Sequence, residues 1–183
     1  MNPKTSAVLV IDVQQGLCSG PYAAFDAAAM IERINTVTAR ARAAGAPVFL
    51  IQHEESGAAA LLAHGSPGWQ LAAGLDALNT DIHLRKTATD SFHKTDLQAK
   101  LQALGIEDLI ICGLQSEFCV DTTTRSAMRL GYPVTLISDG HSTTDNAVLS
   151  ATQISRHHNE TLANIESFGP RTRLVPAAEL HFG

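Results

Sequence analysis

The run SAVLVID at residues 6–12 decides the fold class. Its five central residues are apolar, three of them are β-branched, and the run closes on a carboxylate, Asp12. Strands that are buried on both faces of a parallel sheet have such near-continuous apolar runs, whereas half-exposed strands alternate apolar and polar residues. The pattern therefore predicts a central strand of a parallel sheet, with Asp12 at its carboxyl end.

Similar apolar runs recur along the chain and are separated by segments with helical periodicity. In the first such segment, Asp26 is the predicted N-cap and Gly45 ends the helix. The predicted strands cover residues 6–12, 47–51, 82–85, 109–112, 134–138 and 172–175. The predicted helices cover residues 26–44, 95–104, 118–130 and 146–165. Parallel neighbours need long, right-handed crossovers, so this alternation predicts an α/β fold with three αβα layers in a single domain over residues 1–183.

Residues 54–80 interrupt the alternation. Four glycines and Pro67 break up short Ala and Leu runs in this segment. We expect one or two short helices here, together with a loop that covers a bound substrate.

Composition excludes several classes of partner. The chain is 45% hydrophobic and 17% charged, and its net charge of −5 is spread without a Lys/Arg block, which argues against nucleic acid and anionic membranes. The N-terminal residues do not form a signal peptide pattern, and no apolar stretch is long enough to span a membrane. Cys18, Cys112 and Cys119 fit neither a CxxC pair nor a zinc ribbon, which indicates free thiols. We expect a cytoplasmic protein with a small-molecule partner.

Three chemically capable side chains follow the ends of different predicted strands: Asp12, Lys86 and Cys119. Ligands of such sheets bind beyond the carboxyl ends of the strands. Cys119 lies in GLQSEFCVDTT, a predicted strand-to-helix turn whose free N–H groups and helix dipole would lower the thiol pKa. Asp12 could act as the base, Lys86 could stabilise negative charge, and the N–H groups of Gln115 and Cys119 could face an oxyanion.

Each of these residues also has an ordinary explanation. A buried cysteine is usually inert, as we expect for Cys112 and Cys18. Asp12 alone could cap a turn, and Lys86 alone could be a solvated surface charge. Only their joint position at the strand ends favours catalysis.

Three segments together resemble a known family. LVIDVQ at 9–14, RKTATDSF at 85–92 and GLQSEFCVDTTTRSAMRLGYPVTLISDG at 113–140 resemble the signature blocks of the isochorismatase-like cysteine hydrolases, in the same order. The resemblance implies a Rossmann-like, six-stranded parallel sheet. It also implies that members of this kind commonly form homo-oligomers.

The resemblance further implies roles for individual residues. It places an Asp–Lys–Cys catalytic triad on Asp12, Lys86 and Cys119. It also implies a cis peptide bond between Leu114 and Gln115 that would direct the Gln115 N–H at the oxyanion.

No metal and no organic cofactor are expected. Nicotinamidase-like relatives bind a metal through an Asp-x-His motif, but the matching stretch here is Ile51-Gln52-His53, which lacks the carboxylate. His53 and His64 have no specific ligand spacing. Neither GxGxxG nor a P-loop occurs in the chain.

Substrate contacts are expected from aromatic and polar residues near the strand ends, because such residues often line small-ligand pockets. The candidates are Gln14, Leu17, Tyr22, Phe25, Trp69, Leu114, Gln115 and Phe118.

Three functions are compatible with these residues. The first is hydrolysis of small amide, ureide or carbamoyl C–N bonds through a thioester on Cys119. The second is isochorismatase-type cleavage of a vinyl ether, with Asp12 as general acid. The third is a non-catalytic binding or redox-responsive protein whose Cys119 becomes oxidised.

Overall fold

A six-stranded, wholly parallel sheet forms the centre of the molecule. The computed structural model describes residues 1–3 and 5–182. The strands are β1 (Ser6–Ile11), β2 (Val48–His53), β3 (Ile82–Lys86), β4 (Asp108–Leu114), β5 (Val134–Ser142) and β6 (Thr172–Val175). Their order in the sheet is β3-β2-β1-β4-β5-β6, and all neighbouring pairs are parallel. The predicted parallel α/β fold is confirmed.

Helices cover both faces of this sheet. They are α1 (Gln15–Cys18), α2 (Ala27–Ala43), α3 (Leu97–Ala103), α4 (Asp121–Arg129) and α5 (Ala151–Ala163). Among residues 1–3 and 5–182, no helix combines the length and the apolar character needed to cross a membrane.

The sequence of β1 shows why the fold has three layers. Successive side chains of a strand point to opposite faces of a sheet. Val8 and Val10 therefore pack into the core on the α2 side. Leu9 and Ile11 pack into the opposite core, which contains apolar side chains of α3, α4 and α5. Both faces of β1 are buried, and this explains the uninterrupted apolar run of its sequence.

Strands β1 and β4 approach each other closely at Gly113, which has a φ of 121° and pairs with Ile11. A Cβ atom at this position would collide with the carbonyl oxygen of Ile11 in β1. Only glycine allows this close approach and this backbone conformation together. The approach brings the end of β4 directly beside the end of β1.

One helix cap and one helix start differ from the prediction. Asp26 occupies the predicted N-cap position of α2, but its backbone is left-handed, its side chain makes no cap hydrogen bond, and its carboxylate lies 3.5 Å from Arg33. The helix predicted from residue 146 begins at Ala151, after a capping box formed by Ser150 and Gln153.

Two other segments are also corrected. The helix predicted over 118–130 is a π-helical turn, Ser116–Val120, followed by α4. The short helices expected within 54–80 do not form, since this fully described segment contains turns and isolated bridges only. Its glycines and Pro67 favour turns over a continued helical hydrogen-bond pattern.

Candidate active site

The sheet brings Asp12, Lys86 and Cys119 into direct contact. Asp12 follows β1, Lys86 is the last residue of β3, and Cys119 lies in the π-helical turn after β4. The Lys86 ammonium donates to Asp12 Oδ2 at 2.7 Å and to Cys119 Sγ at 3.2 Å. The exposed fractions of Asp12, Lys86 and Cys119 are 1%, 2% and 8%. A carboxylate, an ammonium and a thiol thus share one nearly dry site.

Asp12 presents its carboxylate from a left-handed turn. Its φ is 53°, a conformation that Asp tolerates better than most residues, and its N–H donates to Ile51 O at 2.8 Å. Oδ2 accepts from Lys86, whereas the buried Oδ1 has no hydrogen-bond partner within the described parts of the chain. An unpartnered buried carboxylate oxygen is a suitable proton acceptor.

Lys86 remains an ammonium despite its burial. It also donates to Ala88 O at 3.1 Å, and His53 Nδ1 lies 3.3 Å from its Nζ. Burial alone would lower the pKa of Lys86, but Asp12 and then Cys119 outweigh burial, so that the pKa is raised. The group therefore supplies a permanent positive charge.

The prediction of a lowered thiol pKa at Cys119 is wrong. Burial first, and then the charge of Asp12, raise the pKa of Cys119 to about 12, although Lys86 acts in the opposite direction. A carboxylate oxygen of Asp12 lies within 4.8 Å of Cys119 Sγ. A protonated thiol against a carboxylate indicates that the thiolate forms only when Asp12 takes the proton.

The turn that precedes the nucleophile has an unusual backbone. The peptide bond between Leu114 and Gln115 is cis. Leu114 is wholly buried at the end of β4, and Gln115 is partly exposed at the start of the turn. The role of the Gln115 and Cys119 N–H groups as oxyanion donors stays a prediction.

Gln14, a predicted substrate contact, is buried and bonded to backbone. Its Nε2 donates to His53 O at 3.0 Å and to Trp69 O at 2.9 Å, and its Oε1 accepts from His53 N at 2.8 Å. The side chain therefore ties β2 to the 54–80 segment. Both of its amide protons are already used.

The other predicted pocket residues have diverse environments. Tyr22, Phe25 and Phe118 are more than half exposed. Leu17 packs against the core on the α2 side. The Trp69 ring meets His64 edge-on, with ring centroids 4.7 Å apart. Contact of any of these side chains with substrate stays a prediction.

The residues do not fit a nicotinamidase-type metal site. Ile51 stands where the motif needs a carboxylate, and its side chain lies in the apolar core. His64 is exposed and contacts Trp69. The ligand-type atoms of Asp12, His53 and Cys119 lie within 4.8 Å of one another, but each of them contacts the Lys86 ammonium, which supplies the cation there.

Sequence reasoning missed a buried network beneath the nucleophile turn. Ser116 Oγ lies 2.8 Å from His141 Nδ1, and His141 Nε2 lies 2.9 Å from Asn159 Oδ1. Asn159 also donates to Ser138 O at 2.9 Å. The network ties the turn to β5 and α5. His141 was missed because the polar end of β5 has the composition of a loop.

Sequence reasoning also undervalued His53, which it interpreted as a pocket-wall or surface residue once a metal role was set aside. His53 ends β2 and pairs in register with Lys86. The signal was present, because His53 follows the same strand-end rule as Asp12 and Lys86.

Comparison with known proteins identifies the family of the chain. The family model of the isochorismatase domain matches residues 6–167. A streptothricin hydrolase of Streptomyces noursei is 36% identical over 177 residues, an alignment that covers 93% of this chain but only 64% of that protein. A ureidoacrylate amidohydrolase of Caulobacter segnis is 31% identical, with 92% of this chain and 82% of that protein covered.

A solved structure of this family has the same fold. The crystal structure of an isochorismatase family protein superposes with a TM-score of 0.85 at 37% identity, and the match covers 94% of this chain and 98% of that one. Fold, matched length and identity lead to one conclusion: the chain belongs to the isochorismatase family.

Proposed function

We propose that this protein hydrolyses small amide, ureide or carbamoyl C–N bonds through a thioester on Cys119. The observation that carries the proposal is the buried Lys86 ammonium that donates to both Asp12 and Cys119, with the Asp12 carboxylate within 4.8 Å of the sulfur. A nucleophile, a base and a cation are the groups that such a reaction requires.

In the first half of the reaction, Asp12 takes the Cys119 proton and the sulfur attacks the substrate carbonyl. Lys86 stabilises the thiolate before attack and, once Asp12 has given up its proton, the Asp12 carboxylate. The tetrahedral intermediate collapses, the C–N bond breaks, and Asp12 returns the proton to the departing nitrogen. The products of this half are a thioester and an amine or ammonia.

In the second half, water cleaves the thioester. Asp12 is again a carboxylate and takes a proton from the attacking water. The C–S bond breaks, the sulfur regains that proton, and a carboxylic or carbamic acid leaves. The net reaction consumes one water for each C–N bond.

The relatives support this choice of substrate class. The streptothricin hydrolase and the ureidoacrylate amidohydrolase are both named for hydrolysis. Vinyl ether cleavage needs an acid at Asp12 and no thiol, so it leaves the contacts of Cys119 unexplained. Oxidation of Cys119 needs the thiolate, which its raised pKa disfavours.

The test is a panel of amides and ureides screened for ammonia or amine release. Cys119→Ala and Asp12→Asn should each abolish release, whereas Cys18→Ala, which alters a thiol outside the triad, should not. Intact-mass spectrometry during turnover should show the acyl adduct on wild type only. Full turnover by Cys119→Ala, with vinyl ether cleavage, would replace the proposal with the acid mechanism.

The proposal includes a reducing cytoplasmic location and a homo-oligomeric state. The three cysteines are free thiols. Tyr22, Phe25 and Phe118 expose apolar area that a second copy could cover. Light scattering coupled to gel filtration would measure the mass, and a monomer at micromolar concentration would contradict the second part.

A further inference from the structure

His53 is a titratable group beside the triad that the mechanism above does not use. Its Nδ1 lies 3.3 Å from Lys86 Nζ. An ammonium can only donate, so Nδ1 must accept, and the ring proton of neutral His53 lies on Nε2. His53 therefore contacts the triad as an acceptor.

Lys86 has more acceptors than N–H bonds. Its three N–H groups face Asp12 Oδ2 at 2.7 Å, Ala88 O at 3.1 Å, Cys119 Sγ at 3.2 Å and His53 Nδ1 at 3.3 Å. The two oxygens are the shortest contacts. The third N–H is therefore shared between the sulfur and the imidazole.

The better acceptor for this third N–H depends on the state of the sulfur. A thiol or a thioester sulfur is a weak acceptor, so the imidazole is preferred. A thiolate carries a full charge, and a charge-assisted bond to it is stronger than one to a neutral ring. The hydrogen bond can thus move from His53 to Cys119 at the moment the thiolate forms.

We propose that neutral His53 is a positioning residue that holds the third N–H of Lys86 while Cys119 is a thiol or thioester and releases it to the thiolate. This inference rests on the proposed function. A proton on Nδ1 would remove the acceptor and place a second positive charge beside Lys86. Protonated His53 therefore cannot hold Lys86 in place.

The surroundings of His53 favour its neutral form. Burial first, and then Lys86, lower its pKa, and the opposing effects of the Asp12 and Glu55 charges and of a hydrogen bond with the Ala88 backbone do not compensate. The ring is nevertheless partly exposed and lines a cavity of about 370 Å³ together with Glu54, Glu55, Ser56, Ala60 and Thr87. Protons can reach the ring from this cavity. Glu54 itself lies 3.4 Å from Arg85.

The backbone of His53 is rigidly held. Gln14 accepts from its N–H and donates to its carbonyl oxygen. The pairing of β2 with β3 sets His53 opposite Lys86. A substitution of the side chain should therefore change the contact with Lys86 and leave the strand in place.

The first experiment compares pH profiles of kcat for wild type, His53→Asn, His53→Leu and the control His83→Asn, an exposed histidine on β3. Asn keeps an acceptor close to the Nδ1 position and does not titrate. We expect it to retain most of kcat and to lose the acid limb, which in wild type lies below the usual histidine range. His53→Leu should lower kcat about 10- to 100-fold, the effect of one hydrogen bond to a charged group. An identical acid limb in wild type and His53→Asn, or an unchanged kcat in His53→Leu, would overturn the inference.

The second experiment needs no substrate. The rate of Cys119 alkylation by iodoacetamide is followed by intact mass over the same pH range, with Cys119→Ala as the blank. Wild type should show an inflection that His53→Asn lacks, and identical profiles would refute the role of His53. If wild type hydrolyses none of the amides, that result counts instead against the proposed function. Failure of the His53 inference and failure of the proposed function are therefore distinguishable.

Discussion

Replacing Lys86 with Met would leave the Asp12 carboxylate buried without its cationic partner. The side chains of Lys86 and Asp12 are 0% and 1% exposed. Asp12 Oδ1 has no hydrogen-bond partner within the described residues, and Oδ2 would lose the ammonium that donates to it. Breaking a buried ion pair from one side costs about 3–5 kcal/mol. We expect Lys86→Met to lower the free energy of unfolding by that amount.

Removing the other partner should cost less. Asp12→Asn keeps a residue type that tolerates the left-handed backbone, and its amide oxygen can still accept from Lys86. The double variant Asp12→Asn/Lys86→Met buries no charge at this position. We therefore expect it to be more stable than Lys86→Met alone, with a coupling energy of about 1–3 kcal/mol between the two positions.

Urea unfolding at pH 7, followed by the fluorescence of the single tryptophan, Trp69, and by circular dichroism, measures these differences. Lys100→Met is the matched control, because Lys100 pairs with Asp96 at the surface with 39% and 62% of the two side chains exposed. It should change stability by less than about 1 kcal/mol. Strictly additive losses at Asp12 and Lys86 would show that the pair does not act as a unit and would refute the reasoning.

Three further predictions concern the scaffold around the site. Burial lowers the pKa of His141, so the contribution of this residue to stability is complete above the unfolded-state pKa of about 6.5 and declines as the pH falls below that value. The urea midpoints at pH 8 and pH 5 should therefore differ less in His141→Gln than in wild type, and an equal difference would contradict this prediction. Gly113→Ala should fail to fold, since the new Cβ meets the backbone of Ile11, whereas Gly131→Ala, with a φ of 98° and open space around it, should lower the free energy of unfolding by only about 1–2 kcal/mol. Soluble expression and urea midpoints measure both effects, and a stable Gly113→Ala would be inconsistent with the close approach of β4 to β1. Gln14→Ala leaves the His53 N–H without its partner, so it should lower the free energy of unfolding by at least about 2 kcal/mol and should also lower kcat. An unchanged kcat would show that the position of His53 does not depend on Gln14.

The sheet and the triad were predictable because both depend on local patterns. The run at 6–12 is apolar on both faces of its strand, and this alone indicates a central parallel strand. Asp12, Lys86 and Cys119 follow three strand ends, which parallel order gathers at one edge of the sheet.

Other features depend on contacts between distant segments. The extension of β5 to Ser142 was missed because its last residues are polar, and they form a strand only by pairing with the end of β4, where Gly113 lies opposite His141. The direction of the Cys119 pKa was missed because it is set by burial and by Asp12, a residue far away in sequence. The spacing of residues in the sequence indicates neither the pairing of β5 with β4 nor the burial of Cys119 beside Asp12.

Four neighbouring strands, β3, β2, β1 and β4, carry Lys86, His53, Asp12 and the turn of Cys119 in that order across the sheet, whereas the 54–80 segment beside them has no regular secondary structure. Sequence changes in that irregular segment can therefore accumulate with the strand ends in place, provided that they preserve the Trp69 carbonyl to which Gln14 donates. In the proposed hydrolase, selection could therefore change which substrates enter the site while the groups that perform the reaction stay in place.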